Sequence, residues 1–215
     1  DWTVYSGTWN INSGYLNQMD EANDNTNIYA PLIQTGNEIY LYNWQMNIGG
    51  SGTNRRAGLH FFCDSAAKPN RGNSYFVYYR VDNDKCQIYK VVNDTWTLET
   101  DDAAIVDPNT GYDCKVVFNP QTGQIKAYLN DALVSSWTDP TPFSSGNFIS
   151  PRTGNANVLY NDMKVYRARS GTNMTVAIGP NTADDIRYQN PNPSTPSGRI
   201  KSIVKDSADN WSASA

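Results

Sequence analysis

An all-β chain of two stacked antiparallel sheets is what this sequence predicts, and three observations carry the prediction. Apolar and polar residues alternate with a period of two through segment after segment. Clusters of Gly, Asn, Asp and Pro punctuate those segments at turn spacing. No stretch carries a sustained apolar stripe of period 3.6 with capping residues, so no long helix is expected. Many short strands between turns build a sandwich or a barrel.

The elements follow in order. In the first strong segment Ile39 and Leu41, then Asn43, Gln45 and Asn47, alternate with Tyr40, Tyr42, Trp44 and Met46. Gly49-Gly50-Ser51-Gly52 ends it. Ala57, Leu59, Phe61 and Cys63 then alternate with Gly58, His60, Phe62 and Asp64. Tyr75, Val77, Tyr79 and Val81 alternate with Phe76, Tyr78, Arg80 and Asp82. Asp82-Asn83-Asp84 is short enough to be a hairpin turn into Cys86–Val92. Cys114, Val116 and Phe118 alternate with Asp113, Lys115 and Val117. Asn119-Pro120-Gln121-Thr122-Gly123 and Asn130-Asp131 are further turns. After Arg169 the composition shifts. Residues 1–169 form the sandwich, and residues 170–215 form a small C-terminal β extension with a proline-rich bend at Pro191, Pro193 and Pro196.

Composition bounds the function. The chain has 215 residues, 39% hydrophobic, with 14 Tyr and 6 Trp against 6 Phe, enough for a core and for half-exposed aromatic surfaces. A net charge of −4 argues against nucleic acid as a partner. No apolar run reaches the roughly 18 residues that span a bilayer. The three cysteines, Cys63, Cys86 and Cys114, show no CxxC spacing. In a meander one strand separates Cys63 from Cys86, about 9–10 Å and beyond disulfide reach, so buried free thiols are expected.

Recognisable catalytic chemistry is missing from the pattern. There is no GxSxG, HExxH or P-loop, and no ExDxxE carboxylate pair. Asp101-Asp102 reads as a solvated loop doublet, since adjacent strand residues point to opposite faces. The one histidine, His60, falls on the same face as Tyr78 and Arg80 of the next strand, a grouping that a lyase could use if all three were exposed together.

The run Thr53-Asn54-Arg55-Arg56-Ala57-Gly58-Leu59-His60-Phe61-Phe62, followed by Asn70-Arg71-Gly72-Asn73-Ser74-Tyr75-Phe76 and by Asp82–Lys90, resembles the centre of laminin-G and concanavalin-like jelly-roll sandwiches. Residues 1–167 are similar to modules of large secreted bacterial surface proteins, of the golvesin and xanthan-lyase-associated type. The tail from Arg199 to Ser212 resembles the last strand of a fibronectin-III or Ig-like unit, with Asp209 in place of a glycine. The resemblance implies a concanavalin-like jelly roll, non-catalytic binding of an extracellular polysaccharide, a secreted or cell-surface location, and neighbouring domains in a larger chain. It also implies a structural calcium, for which the matching positions are Asp20, Glu21 and Asp162.

For such binding a flat aromatic meets the apolar face of a sugar, and fixed donors meet its hydroxyls. The candidates are Trp44, Arg55, Arg56, His60, Arg71, Tyr78, Arg80 and Asp82. Four arginines in a mildly acidic chain favour an acidic polysaccharide, because a guanidinium grips a carboxylate or sulfate through paired bonds. Each of these readings has a structural counterpart. The arginines could instead pair with Asp64, Asp82 and Asp84, and Tyr40, Tyr42 and Trp44 could be the core face of their strand. At the level of the whole chain, a spacer module without ligand is the alternative, and a lyase or hydrolase on the same fold comes third.

Overall fold

The computed structural model describes residues 2–168, together with the backbone of four short strands within 177–213. The fibronectin-like reading of the tail and the boundary at 170 lie outside the described residues. Fourteen strands build the sandwich: β1 (Thr3–Ser6), β2 (Trp9–Asn12), β3 (Tyr15–Gln18), β4 (Thr26–Thr35), β5 (Ile39–Gly49), β6 (Arg56–Cys63), β7 (Ser74–Arg80), β8 (Lys85–Val92), β9 (Thr95–Ala103), β10 (Gly111–Asn119), β11 (Gln124–Leu129), β12 (Ala132–Thr138), β13 (Ser145–Gly154) and β14 (Asn157–Ala168). One seven-stranded sheet, called the first, runs β1-β4-β13-β6-β7-β8-β9; the second runs β12-β11-β10-β5-β14-β3-β2. All pairings within both are antiparallel. This is the two-sheet antiparallel sandwich that the alternation predicts, in the jelly-roll form that the resemblance implies.

The turns fall where their chemistry places them. Asn130 and Asp131 both have positive φ, as a two-residue hairpin of matching twist requires, and Gly123 closes the preceding turn at φ +73°. Asp82–Asp84 joins β7 to β8. Asp101 and Asp102, read as loop, lie instead in β9. Asp101 accepts from Gln87 Nε2 at 2.8 Å and Asp102 from Ser135 Oγ at 2.6 Å, so the doublet does straddle the two faces of a strand.

Between the sheets lies an aromatic core. Tyr42, Trp44 and Met46 of β5 face Leu59 and Phe61 of β6, Tyr75, Val77 and Tyr79 of β7, and Val116 and Phe118 of β10. Tyrosine hydroxyls that reach the core's interior find acceptors. Tyr79 donates to Tyr128 O at 2.9 Å and Tyr42 to Gln34 Oε1 at 2.6 Å. All three cysteines are buried free thiols, with β7 lying between Cys63 and Cys86. Trp44 is fully buried here, so it is core and not the exposed platform expected of it. Its strand alternates strictly, and the Asn43, Gln45 and Asn47 side faces out.

Candidate functional site

The outward face of the first sheet collects most of the residues that sequence reasoning singled out. The register makes two cross-strand rows: Arg56–Arg80–Lys85, and Arg152–Gly58–Tyr78–Gln87–Asp101. A third carries Ser150–His60–Phe76–Tyr89. Arg71 arrives from the loop between β6 and β7, which folds back over this face.

Two residues organise the face, and neither was a sequence candidate. Trp96 stands near the start of β9, and Arg152 belongs to β13, with three strands between them, ~19 Å in a flat sheet. Yet the Arg152 guanidinium lies 4.1 Å from the Trp96 ring centroid. The two side chains cannot span that distance together, so the face curves inward and they meet across its middle. Trp96 also packs edge-on against Phe76, Tyr89 and His60 at 5.4, 5.0 and 5.9 Å between centroids. This roof buries Phe76 and His60 completely, although both lie outside the inter-sheet core.

The loop 64–73 fixes the other side. Asn70 Oδ1 accepts from Arg152 at 2.7 Å, and Asn70 is itself held by Asp94 through bonds of 2.9 and 2.8 Å. Arg71 donates to Asn27 Oδ1 and to Ala66 O, and its guanidinium lies 4.4 Å from the Tyr5 ring centroid. Aromatic faces and neutral oxygens thus stand in for counter-charges.

The arginines make the face electropositive. Among the described residues, Arg56, Arg71, Arg80 and Arg152 form no ion pair with a carboxylate. Arg56 donates to Asn54 O, Asp24 O and Asn155 Oδ1, and Arg80 to Gln87 Oε1 and Asn54 Oδ1. Of the structural pairings expected, only Arg55–Asp82 forms, at 2.8 Å on the rim. Asp64 is taken by Asn73, and Asp84 accepts from the Val106 N–H. Burial lowers the Arg152 pKa to about 10, and the neighbouring Arg56 and Arg71 add to the drop. Burial likewise pushes the His60 pKa well below its ordinary value, helped by Arg152 and Arg71. His60 is therefore a neutral imidazole at pH 7, bonded through Nδ1 to Ser74 Oγ at 3.1 Å.

Several polar atoms on this face lack partners. The Tyr78 hydroxyl, Arg152 Nε, Arg71 Nε and His60 Nε2 are buried with none. Such atoms cost about 1–3 kcal/mol each when unsatisfied, and four of them lie on this face or in the loop that covers it. Arg56 and Arg80 flank Tyr78 and stay half-buried, with the Arg56 guanidinium 5.7 Å from the Tyr78 ring centroid. Here the face opens to solvent. His60 and Tyr78 are not exposed together, as a lyase centre would need.

The carboxylates expected to hold calcium do not assemble. Glu21 accepts from the Ser51 N–H at 2.9 Å, whereas Asp162 pairs with Lys164 at 2.7 Å. No cluster of three or more His, Cys, Asp or Glu suited to a metal occurs among the described residues.

No family model and no curated protein sequence matches the chain. Solved structures do. A carbohydrate-binding module, CBM66 from Bacillus subtilis, superposes with a TM-score of 0.65 at 21% identity, covering 76% of this chain and 94% of that one. The carbohydrate recognition domain of Emp47p gives 0.57 at 10% identity over 78% and 89%. A Bacillus licheniformis β-glucanase gives 0.53 at 13% identity over 77% and 90%. At these identities the likeness shows the jelly-roll fold, which sugar-binding modules and a glycan-cleaving enzyme share.

Proposed function

We propose that the chain is a non-catalytic carbohydrate-binding module that holds an acidic polysaccharide on the outward face of the first sheet. The observation that carries this reading is a set of four guanidinia without a carboxylate partner on one side of the sandwich, Arg56, Arg80 and Arg152 near Tyr78 and Arg71 in the loop folded over the same sheet. A carboxylated or sulfated sugar supplies the missing charge, with Arg56 and Arg80 at the open edge as primary contacts. Arg55 and Asp82 form the rim, and Arg71, His60 and Arg152 set the potential beneath. Fold likeness to carbohydrate-binding and carbohydrate-recognition domains supports the ligand class. A neutral, roofed histidine and a cluster of arginines suit binding better than cleavage, which calls for a positioned acid and base. Attachment to neighbouring domains at a cell surface belongs to the same reading.

The Trp96 roof favours one second reading, a spacer module whose outward face is packed for stability alone. Calorimetric titration with a hexamer of galacturonate and with neutral hexasaccharides separates the two. Preferential binding of the galacturonate, weakened by salt and equal in calcium and in EDTA, is the expected result. No heat with any acidic glycan, sulfated ones included, would leave the spacer.

A further inference from the structure

The outward face of the second sheet is chemically unlike that of the first. Alternation along β5 turns Asn43, Gln45 and Asn47 outward, and the register sets Asn47 beside Gly111 of β10 and Leu159 of β14, with Gln45 beside Asn161. Asn17 of β3 continues the row past Leu159. A depression of about 170 Å³ opens there, bounded by Tyr15, Gln45, Asn47, Gly111, Leu159 and Asn161. It adjoins a second, of about 190 Å³, through Asn161.

Each boundary residue suits a polyhydroxylated ring. Gly111 makes the hollow, since a Cβ there would meet nothing within 4 Å. Asn43 is bonded to Asp113, whereas the side-chain amides of Gln45 and Asn47 hold no partner among the described residues. Asn161 uses only its oxygen, accepting from the Asp162 N–H at 2.9 Å, and Asn17 Oδ1 is buried without a donor. A primary amide offers donor and acceptor side by side, the arrangement that two vicinal hydroxyls complement. Tyr15, 40% exposed, and Leu159 present apolar surface for the C–H face of a ring. No residue bounding the hollow carries a formal charge. Each depression is smaller than the roughly 300 Å³ at which drug-sized pockets begin, which limits it to a single sugar residue.

We infer that this amide-lined hollow is a second glycan site, and that it takes a neutral sugar. It stands independently of the acidic site on the other sheet. The test is a ¹H–¹⁵N titration of the full chain with cellohexaose, xylohexaose and mannohexaose, and separately with the galacturonate hexamer. At least one neutral probe is expected to shift the Asn47, Gly111 and Asn161 signals saturably. Gly111→Leu fills open space without displacing backbone. It should weaken that binding by about tenfold or more and leave the galacturonate response unchanged, and Asn47→Ala should do the same by removing an amide. Absence of saturable shifts at these residues with all three neutral probes would overturn the site. So would neutral binding that survives both substitutions, or neutral shifts confined to the first sheet. The acidic site fails or stands on the galacturonate arm alone.

Discussion

The two outward faces of the sandwich come from the same period-two alternation and end in opposite states. On the first sheet, outward residues are large, aromatic and cationic, and they roof themselves: Phe76, His60 and Tyr78 are as buried as the inter-sheet core. On the second, the residues around the hollow that Gly111 leaves open are mostly amides and carry no formal charge, and the nearby Asp113 and Lys115 are paired with each other. Burial therefore does not identify the core in this molecule. Strand register does, and it separates the residues that hold the sheets together from those that merely hide beneath a neighbour.

Four experiments sharpen or break that contrast. The largest effect is expected from the pair Arg56→Ala and Arg80→Ala. Two charge-assisted bonds at about 1.5–3 kcal/mol each predict a loss of roughly 100-fold or more in acidic-glycan affinity by calorimetry. Neutral-probe shifts on the second sheet should stay as they were; joint loss would mean that the faces are not separate sites.

Next is Trp96→Ala. Removing a half-buried roof predicts a stability loss of about 2 kcal/mol and a fall in melting temperature of roughly 4–8 °C. Tyr15→Ala on the open face should cost under about 0.5 kcal/mol. Equal losses would erase the distinction between a roofed face and an open one.

A smaller effect is a pH dependence. His60 has a depressed folded pKa, so the unfolded chain binds its proton more readily. The contribution to stability is present above the unfolded value of about 6.5 and is lost as pH falls below it toward the folded pKa. Melting temperature should decline between pH 6.5 and 5, above the ordinary carboxylate midpoints, although burial raises the Glu99 pKa toward this window. His60→Gln, the chain's single histidine replaced, should flatten that slope. The smallest effect is Gly111→Leu, whose melting temperature should match the parent's within the shift that 0.5 kcal/mol produces.

Much of this architecture can be read from residues alone, because alternation and turn chemistry are local. Strands β5, β6, β7, β8 and β10 and their turns follow from it. The site is less legible, since its organisation is long-range. Arg152 sits in Ser-Gly-Asn-Phe-Ile-Ser-Pro-Arg-Thr-Gly, where two glycines and Pro151 dilute any strand signal, and its partner Trp96 lies beyond three intervening strands. Trp96 did carry a signal: it follows the Asn93-Asp94 turn, and Trp96 and Leu98 alternate with Thr95 and Thr97, the start of a hairpin partner for β8. Trp44 was misplaced because a period of two gives two faces without saying which is inside. The neighbouring amides Asn43, Gln45 and Asn47 held the answer, since polar residues claim the solvent side. Apart from Arg55–Asp82, the pairing of arginines with interleaved aspartates does not form, for a different reason. Asp64 and Asp84 are spent on backbone and amide donors of nearby turns, which sequence proximity does not reveal.

The three unlinked thiols give the molecule a built-in clock. Burial raises the pKa of each well above that of a free cysteine, so none reacts while the strands around it stay closed. Cys63 and Cys86 lie in one sheet and Cys114 in the other. The pace at which an alkylating reagent caps them in native buffer thus times the opening of each sheet separately, with no label added and no denaturant present.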